Sequence, residues 1–536
     1  MEASRGLEIE KKYDVGADAV VPALEQAAGV ARTGKPHTDL LEAVYFDTPA
    51  HDLAGRRITL RRRTGGTDAG WHLKLPPKAA APGEGPQPRT ELHAPLGRPD
   101  AVPDSLLAHL HAYLRGSVPV PVVRLETRRT THPLYGDDGV HLADLADDHV
   151  TAERLAGGER DTTARQQWRE WEVELVHGEP ALFGPVEELL TAAGARPAAH
   201  ASKLARALGA GKAAAKRSAG TAPAGAAPDR DAGPGSTPAL LAGKRAPAAA
   251  VVTVFVASQI DEILAIDAAV RLEQTESVHT MRSAARRIRS VLAAYGKLYR
   301  ASPVRRLRDE LKWLGQLLGE PRDAEVLRAQ LRNQLADLPQ GEGLAAATAA
   351  VEHRTGEDFD AAYRLLQEAL GSDRYFRLLD NLEDFRDNPP VRADAVTSGR
   401  RAAAKAVDKG AKRLKRSHKA ATRARRGTDQ ELALHRVRKD AKRLRYVAES
   451  AGLVRGKRAA KVAKAARRQQ KILGRFQDAV VARELLAAIA ADGSDPATAA
   501  IYTELLSQQD AIMLAAHAKY RKARKKSREV LSRGVI

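Results

Sequence analysis

Apolar and polar residues alternate with a period of two in five separate runs of the first 208 residues. These are Leu7 to Tyr13, Ile58 to Arg63, Trp71 to Leu75, Val122 to Thr131 and Trp168 to Leu175. Such alternation predicts strands with one buried face. Helical spacing intervenes at about 17–28, 101–114 and 184–194, and turn-rich stretches at 64–70 and 76–88 separate the strands. A polar insertion follows at 154–166. Together these predict an α+β domain over 1–208 whose main sheet is antiparallel. From 209 to 249 the chain reduces to Ala, Gly, Pro, Ser and Lys with no apolar period, which predicts a flexible linker. From 250 to about 530 the strand signals vanish and apolar residues recur at helical spacing, so this part is predicted to be all-α.

The helical part repeats itself. Val278-His279-Thr280-Met281-Arg282 followed by Arg286-Arg287-Ile288-Arg289 is echoed by Leu434-His435-Arg436-Val437-Arg438 followed by Lys442-Arg443-Leu444-Arg445. A second landmark, Leu318-Gly319-Glu320-Pro321-Arg322-Asp323, is echoed by Leu473-Gly474-Arg475-Phe476-Gln477-Asp478. From His279 to Asp323 is 44 residues, and from His435 to Asp478 is 43. Matched landmarks at matched separation predict two related helical bundles.

Composition narrows the function classes. A chain of 536 residues with 43% hydrophobic residues is long enough for two cores and too apolar for general disorder. It has no cysteine, which excludes disulfides, thiolate nucleophiles and cysteine-ligated zinc. The start, Met1 to Tyr13, lacks the apolar segment of a signal peptide, and no run of about 18 apolar residues is expected to offer a membrane span. A cytoplasmic protein without a membrane partner is expected.

The net charge of +20 is unevenly placed. Residues 401–536 hold 35 of the 87 Lys and Arg but only 12 of the 67 Asp and Glu, so the rest of the chain is nearly neutral. A basic end of this kind implies a polyanionic partner. Nucleic acid is the less favoured one, because the basic end lacks interleaved aromatics, a recognition helix or a zinc pattern.

On the strands, residues two apart share a face. Glu8, Glu10 and Lys12 therefore line one surface, Glu170, Glu172 and Glu174 another, Arg61 and Arg63 a third, and Lys74 lies on a fourth. A single charged row is ordinarily the solvated face of a sheet. Several rows in one sheet fit a different use, since a closed sheet turns them onto one lumen. Carboxylate pairs suit Mg²⁺ or Mn²⁺, and Arg and Lys rows suit phosphate oxygens. Gly29 to Lys35 matches the first part of a P-loop, but Pro36 stands where a hydroxyl should bind magnesium and no apolar strand precedes it.

These residues resemble the CYTH domain, the triphosphate tunnel metalloenzyme family. The resemblance rests on Glu8-Ile9-Glu10-Lys11-Lys12, Tyr45-Phe46-Asp47-Thr48-Pro49, Leu60-Arg61-Arg62-Arg63, Trp71-His72-Leu73-Lys74, Glu170 to Glu174 and Ser202-Lys203-Leu204. It implies an eight-stranded antiparallel β-barrel tunnel with flanking helices. By the same resemblance Glu8, Glu10 and Lys12 are the catalytic group. Glu8, Glu10, Glu172 and Glu170 or Glu174 would hold Mg²⁺ or Mn²⁺, with Asp147 or Asp148 assisting. Lys12, Arg61, Arg63, Lys74, Arg124, Arg128 and Lys203 would bind the triphosphate. The implied reaction is metal-dependent hydrolysis of inorganic triphosphate, or of thiamine or nucleoside triphosphates if Trp71 or Trp168 stacks on a ring. A polyphosphate-binding scaffold with a vestigial tunnel is the non-enzymatic alternative.

In the helical part His279, Arg282, Arg286 and Arg289 fall on one side of a helix, and His435, Arg438, Lys442 and Arg445 repeat the layout. Stacked like charges call for an anion. Metal binding by histidines flanked by cations is disfavoured, and a hydrogen bond to phosphate suits them better. The run His435 to Tyr446 resembles the signature of the CHAD domain, the conserved histidine α-helical domain. That family implies two pseudo-symmetric four-helix bundles around a groove for inorganic polyphosphate. His279, Arg282, Arg286, Arg289, His435, Arg438, Lys442, Arg443 and Arg445 would line the groove. Further basic clusters at 412–419, 457–468 and 519–528 match no motif. The whole is expected to be a triphosphatase tethered to a polyphosphate-binding bundle, cytoplasmic or at polyphosphate granules.

Overall fold

The computed structural model describes residues 4–76, 89–156, 159–160, 165–209, 246–493 and 495–533. Most of the predicted linker (210–245), the loop at 77–88 and parts of the polar insertion lie outside the described residues. Two compact units emerge, Met1–Ser236 and Thr237–Ile536.

The first unit holds twelve strands in one antiparallel sheet. They are β1 (Ser4–Glu8), β2 (Glu10–Asp14), β3 (Arg32–Thr33), β4 (His37–Asp47), β5 (Thr59–Thr64), β6 (Gly70–Lys74), β7 (Arg89–Ala94), β8 (Val120–Tyr135), β9 (His141–Ala156), β10 (Glu159–Arg160), β11 (Gln166–Leu175) and β12 (Arg196–Pro197). Their order is β1-β7-β6-β5-β4-β8-β9-β11-β2-β12, with β3 on β8 and β10 on β9. β1 pairs with β7 at one end of this path and β2 pairs with β11 near the other, yet only Ile9 separates β1 from β2. The sheet thus closes on itself through the chain. The segment count is twelve rather than the expected eight, because the first strand breaks at Ile9 and three segments are only two residues long.

On β2, β5, β6 and β11 closure puts the apolar rows outside and the charged rows inside. Short helices α1 (Asp52–Gly55), α2 (Asp104–Leu107) and α3 (His111–Leu114) cover one outer face, burying Leu53, Leu106, Leu110 and Leu114 against Phe46, Leu60, Trp71 and Leu73. Helix α4 (Phe183–Ala192) covers another, packing Phe183, Val186 and Leu190 on Tyr13, Leu145, Trp171 and Val173. Trp71 and Trp171 are fully buried, and truncating such a residue to Ala typically costs about 3–5 kcal/mol. Helix α5 (Lys203–Ala207), capped by the Ser202 hydroxyl on Ala205 N at 3.1 Å, instead packs Leu204 against Tyr45, Leu125 and Val150.

The helical pattern at 184–194 is α4, and that at 101–114 resolves into the two single turns α2 and α3. The pattern at 17–28 forms only a 3₁₀ turn, Leu24–Gln26, because Leu24 and Ala27 dock on the sheet without a continuous helix beneath them.

The second unit is helical: α6 (Ala248–Arg271), α7 (Ser277–Tyr295), α8 (Ala301–Leu317), α9 (Gly319–Ala336), α10 (Leu344–Leu370), α11 (Asp373–Asp387), α12 (Gly399–Arg423), α13 (Thr428–Ala491) and α14 (Pro496–Arg533). Helix α13 breaks at Gly456, where φ is 28° and ψ −111°. Its two halves correspond to α7 and to the nearly continuous pair α8–α9. Two four-helix repeats result, α6 to α10 and α12 to α14, with α11 as an extra helix. The starts of the two repeats are tied together, Ala248 N to Thr397 O at 2.8 Å and Gly399 N to Ala246 O at 2.7 Å. Leu331, Leu335, Val351, Leu486, Tyr502 and Leu505 form a core shared by both repeats.

One expectation fails here. Ala248–Arg271, with a hydropathy of 1.8, is long and apolar enough by length and composition to cross a membrane. In the fold it is a core helix: Val252, Val256, Ile260 and Ile263 are buried, and buried Asp267 accepts from Tyr375 Oη and Arg271 Nε, each at 2.7 Å.

A charged tunnel and a basic helical groove

Strand parity decides what enters the lumen of the sheet. On β1, β2, β5, β6 and β11 the row expected to be functional faces inward. Glu8, Glu10, Lys12, Arg61, Arg63, Lys74, Glu172, Glu174 and Lys203 line one cavity, together with Tyr45, Glu91 and Arg129. Glu170 continues the β11 row deeper inside and is 5% exposed.

Three expected residues are elsewhere. Arg128 is exposed and Arg124 bonds Glu42 at 3.2 Å on the outer face of β8. The inward residue of that strand is Arg129. Among the described residues no helix covers β8 from outside, so its charged row faces solvent while Val123 and Leu125 point inward against α5. Asp147 also faces outward, where it accepts from Arg169 Nε at 2.8 Å and Trp171 Nε1 at 3.1 Å. Its neighbour Asp148, 0% exposed, faces the lumen and accepts from Arg129 Nε at 2.7 Å. Trp71 lies in the outer core and donates to Leu96 O, and Trp168 donates to Glu170 Oε2 at 2.6 Å.

The lumen has two poles. At the first, Asp148, Glu170 and Glu172 stand close enough to share a cation, with ligand oxygens within 4.8 Å of one another. Lys203 already occupies this seat: its Nζ lies 2.8 Å from Asp148 and 2.7 Å from each of Glu170 and Glu172. Arg129 adds a 2.6 Å bond to Glu172. Burial pushes the Asp148 carboxyl up, but Lys203 and Arg129 outweigh it and hold it below the ordinary range. Glu172 is held lower still, since Lys12, Lys203 and Arg129 all oppose its burial.

At the second pole the carboxylates are less completely paired. Lys12 bonds Glu10 at 2.7 Å and also Glu172, and Lys74 bonds Glu8. Glu8 Oε2 is buried without a hydrogen-bond partner. Glu174 has no ion-pair partner among the described residues. Burial, then the Glu8 charge, push its carboxyl up to about 7. Burial likewise raises Glu8. Unsatisfied carboxylate oxygens with nothing softer nearby fit a hard divalent cation, so Glu8, Glu10, Glu172 and Glu174 are the residues that would hold one.

In the helical unit α7 and α13 face each other. Arg282, Arg286, Arg438 and Arg445 surround Lys442; burial, then this ring of arginines, push its ammonium down to about 6. Anionic partners are few. Arg282 bonds Asp323 at 2.8 Å and Arg445 bonds Glu449 at 2.7 Å, while Arg438 Nε is buried without a partner. The repeat is visible in the packing: Arg282 lies over Gly319 and Arg438 over Gly474. His279 is exposed beside Arg322, and His435 Nδ1 lies 2.6 Å from Gln477 Oε1. Partial desolvation depresses both imidazoles, and for His279 the Arg322 charge adds to it.

Arg289 and Arg443 separate from this cluster. They line a cavity of about 400 Å³ with Arg308, Lys312, Lys409 and Arg413, none of which belongs to the signature. A larger groove of about 1630 Å³ collects Lys464, Arg467, Arg468, Lys471, Arg475, Lys519 and Lys522. Two of the unassigned basic clusters thus meet across α13 and α14. Contact between distant segments had no signal in the sequence.

Comparison with known proteins agrees with this division. The family model of the CYTH domain matches residues 6–207 and that of the CHAD domain residues 255–487. An uncharacterized protein of Mycobacterium tuberculosis is 39% identical, over 95% of this chain and 93% of its own. Among solved structures, PptA from Streptomyces chartreusis is 22% identical, covering 52% of this chain and 99% of its own, with a TM-score of 0.45. The CHAD domain from the plant Ricinus communis is 26% identical, covering 57% of this chain and 97% of its own, with a TM-score of 0.42. The chain belongs to the proteins that join an N-terminal CYTH domain to a C-terminal CHAD domain.

Proposed function

We propose that the N-terminal unit hydrolyses a triphosphate, inorganic triphosphate before nucleotides, and that the helical unit binds an inorganic polyphosphate chain. One observation carries the first half: Arg61, Arg63, Lys12, Lys74 and Arg129 converge with Glu8, Glu10, Glu172 and Glu174 inside a single closed sheet. CYTH proteins act on triphosphates and depend on a metal, which is consistent with that lining.

A divalent cation at Glu8, Glu10, Glu172 and Glu174, when bound, supplies positive charge to the phosphate oxygens. The chain's own cations do the rest. Arg61 and Arg63, two apart on β5, present guanidinium forks to the anhydride oxygens. Lys12 and Lys74 exchange their carboxylate partners for phosphate oxygens. As a water oxygen bonds to the terminal phosphorus and the bond to the bridging oxygen breaks, these fixed cations offset the charge gathering on the leaving pyrophosphate. Trp71 is buried outside the lumen and offers no ring platform, and the Trp168 ring already carries Arg206 at 4.9 Å, which favours inorganic triphosphate.

For the helical unit, the supporting observation is the ring of four arginines about Lys442 with few anionic partners. Phosphate release should be measured from triphosphate, ATP and long polyphosphate, with and without Mg²⁺ or Mn²⁺, in the wild type and in Glu8→Ala/Glu10→Ala. Absence of metal-dependent release from all three overturns the enzyme and leaves a binding scaffold. Unchanged polyphosphate affinity in His435→Ala/Arg438→Ala/Arg445→Ala overturns the groove.

A further inference from the structure

At one end of the lumen β5, β6 and β7 bring together a group of side chains unlike the oxygen-only lining below it. Asp68 lies on the turn between β5 and β6, His72 on β6 and His93 on β7, and His72 pairs directly across from His93. One ligand atom from each lies within 4.8 Å of the others. His93 Nε2 stands 3.6 Å from Asp68 Oδ1, and His72 Nε2 stands 3.9 Å from Asp68 Oδ2. The two rings are 4.9 Å apart at 61°.

Three further features single this group out. Two of the three, His72 and Asp68, are braced from behind. His72 Nδ1 lies 2.9 Å from Glu91 Oε1, which leaves Nε2 as the nitrogen turned toward Asp68. Asp68 Oδ2 accepts from Arg63 at 2.6 Å, which leaves Oδ1 facing His93. Carboxylate behind imidazole and cation behind carboxylate is how metal ligands are oriented. Next, His93 Nε2 is buried without a hydrogen-bond partner. Last, the space it occupies exists because residue 70 is glycine: a Cβ there would sit 2.2 Å from that nitrogen.

His72, 1% exposed, carries a related conflict. Its Nδ1 faces the Glu91 oxygen and its Nε2 lies 3.1 Å from the Asp68 carbonyl oxygen. A neutral imidazole has one proton, so one of the two nitrogens presents a lone pair to an oxygen. A cation between Nε2, His93 Nε2 and Asp68 resolves this without charging the buried ring.

We propose that Asp68, His72 and His93 form a second metal site, for a borderline divalent ion such as Zn²⁺ or Co²⁺ rather than Mg²⁺. Two imidazoles and one carboxylate are the donor set of such ions, whereas Mg²⁺ takes oxygen ligands. Ligand atoms about 2.0–2.1 Å from a common ion stand about 3.3 Å apart in a tetrahedron. The two carboxylate–imidazole spacings, 3.6 and 3.9 Å, lie close to that value, and Asp68 lies just after Gly65 and Gly66, both at positive φ. The ion would clamp the β5–β6 turn to β7 and, through Asp68, hold Arg63 at the lumen.

The test uses the full-length chain with excess Mg²⁺ present to saturate oxygen-only sites, titrated with Co²⁺ and followed by its visible absorption. One equivalent with a nitrogen-ligated spectrum, displaced by Zn²⁺ and not by Mg²⁺, is expected. His93→Ala should weaken it at least tenfold, and so should Gly70→Ala, which crowds the ring while keeping every ligand. Asp68→Asn on the exposed turn should do the same without disturbing the core. Glu8→Gln/Glu10→Gln should retain it. No such band in the wild type, or a band unchanged in His93→Ala and Asp68→Asn, overturns the proposal.

Discussion

Lys203 is the residue whose loss should disturb the tunnel most. Its Nζ lies within 2.8 Å of Asp148, Glu170 and Glu172, all of them 0–6% exposed. Lys203→Met preserves the bulk of the stem and deletes the charge, leaving three buried carboxylates facing one another with Arg129, Lys12 and, 4.0 Å from Glu170, Arg206 to offset them. Removing one partner of a buried ion pair costs about 3–5 kcal/mol. With a urea dependence of about 2 kcal/mol per molar, the midpoint should fall by about 1.5–2.5 M. Tryptophan fluorescence reports the transition, since Trp71, Trp168 and Trp171 belong to this unit and only Trp313 to the helical one. Lys11→Met is the control. Lys11 pairs with half-exposed Glu187, and that change should cost less than about 1 kcal/mol. The pH dependence sharpens the test. In the wild type Lys203 helps hold Asp148 and Glu172 below their ordinary pKa. Their contribution is therefore present above the ordinary carboxyl range and lost as pH falls through the depressed values. The gap between wild type and variant should be widest near neutrality and narrow as the freed carboxyls protonate toward pH 4. A midpoint shift below about 0.5 M at pH 7, or a gap that does not narrow in acid, refutes the reasoning.

Other consequences can be measured separately. Arg129→Met should lower kcat/KM for triphosphate by about 100-fold or more, the loss expected for one fixed cation on the developing charge, while Arg128→Met stays within about threefold in the same phosphate-release assay. Lys442 sits near pKa 6 when the groove is empty, and a bound polyanion raises it. Polyphosphate affinity, measured by fluorescence titration, should then fall as pH rises above 6, by up to about tenfold per unit, and Lys442→Arg should flatten the profile. Gly343 adopts φ 79° at the start of α10, and a Cβ there would meet Thr498 N at 2.4 Å. Gly343→Ala should cost the helical unit about 1–3 kcal/mol or more, read as a lower thermal midpoint by circular dichroism.

How much of this was legible in the sequence depends on what each signal measures. Period-two rows such as Glu8/Glu10/Lys12 and Arg61/Arg63 report which residues share a face, and the closed sheet does gather them. The longest strands gave weaker signals. β9 runs over sixteen residues, His141 to Ala156, but is rich in Ala and Asp, which are poor strand formers, and β4 lacks a clean alternation. The helical repeat was legible because two landmarks recur at matched separation, His279 to Asp323 and His435 to Asp478, and the like charges stacked in each copy need an anion to offset them. Its closure into a groove was not, since the 457–468 and 519–528 clusters meet only through the turn between α13 and α14.

The misplaced residues share one cause. Alternation gives parity, not sidedness, and the usual rule that the apolar row faces the core has two answers in a closed sheet. Where a helix lies outside, as α4 does over β11, the apolar row turns outward and the carboxylates turn in. On β8 no described helix lies outside. Arg124, Glu126 and Arg128 go to solvent, and Thr127 and Arg129 go to the lumen. A register shift where Tyr45 meets Val123 but Phe46 meets Pro121 moves the parity again within the same strand. For adjacent residues such as Asp147 and Asp148 the choice is a single step of the pleat. It is settled by Trp171 and Leu145 sitting beneath α4 on the side that Asp147 shares. Sidedness in such a tunnel is therefore set strand by strand by the helices packed around it, and those contacts are between segments too distant for any local pattern to record.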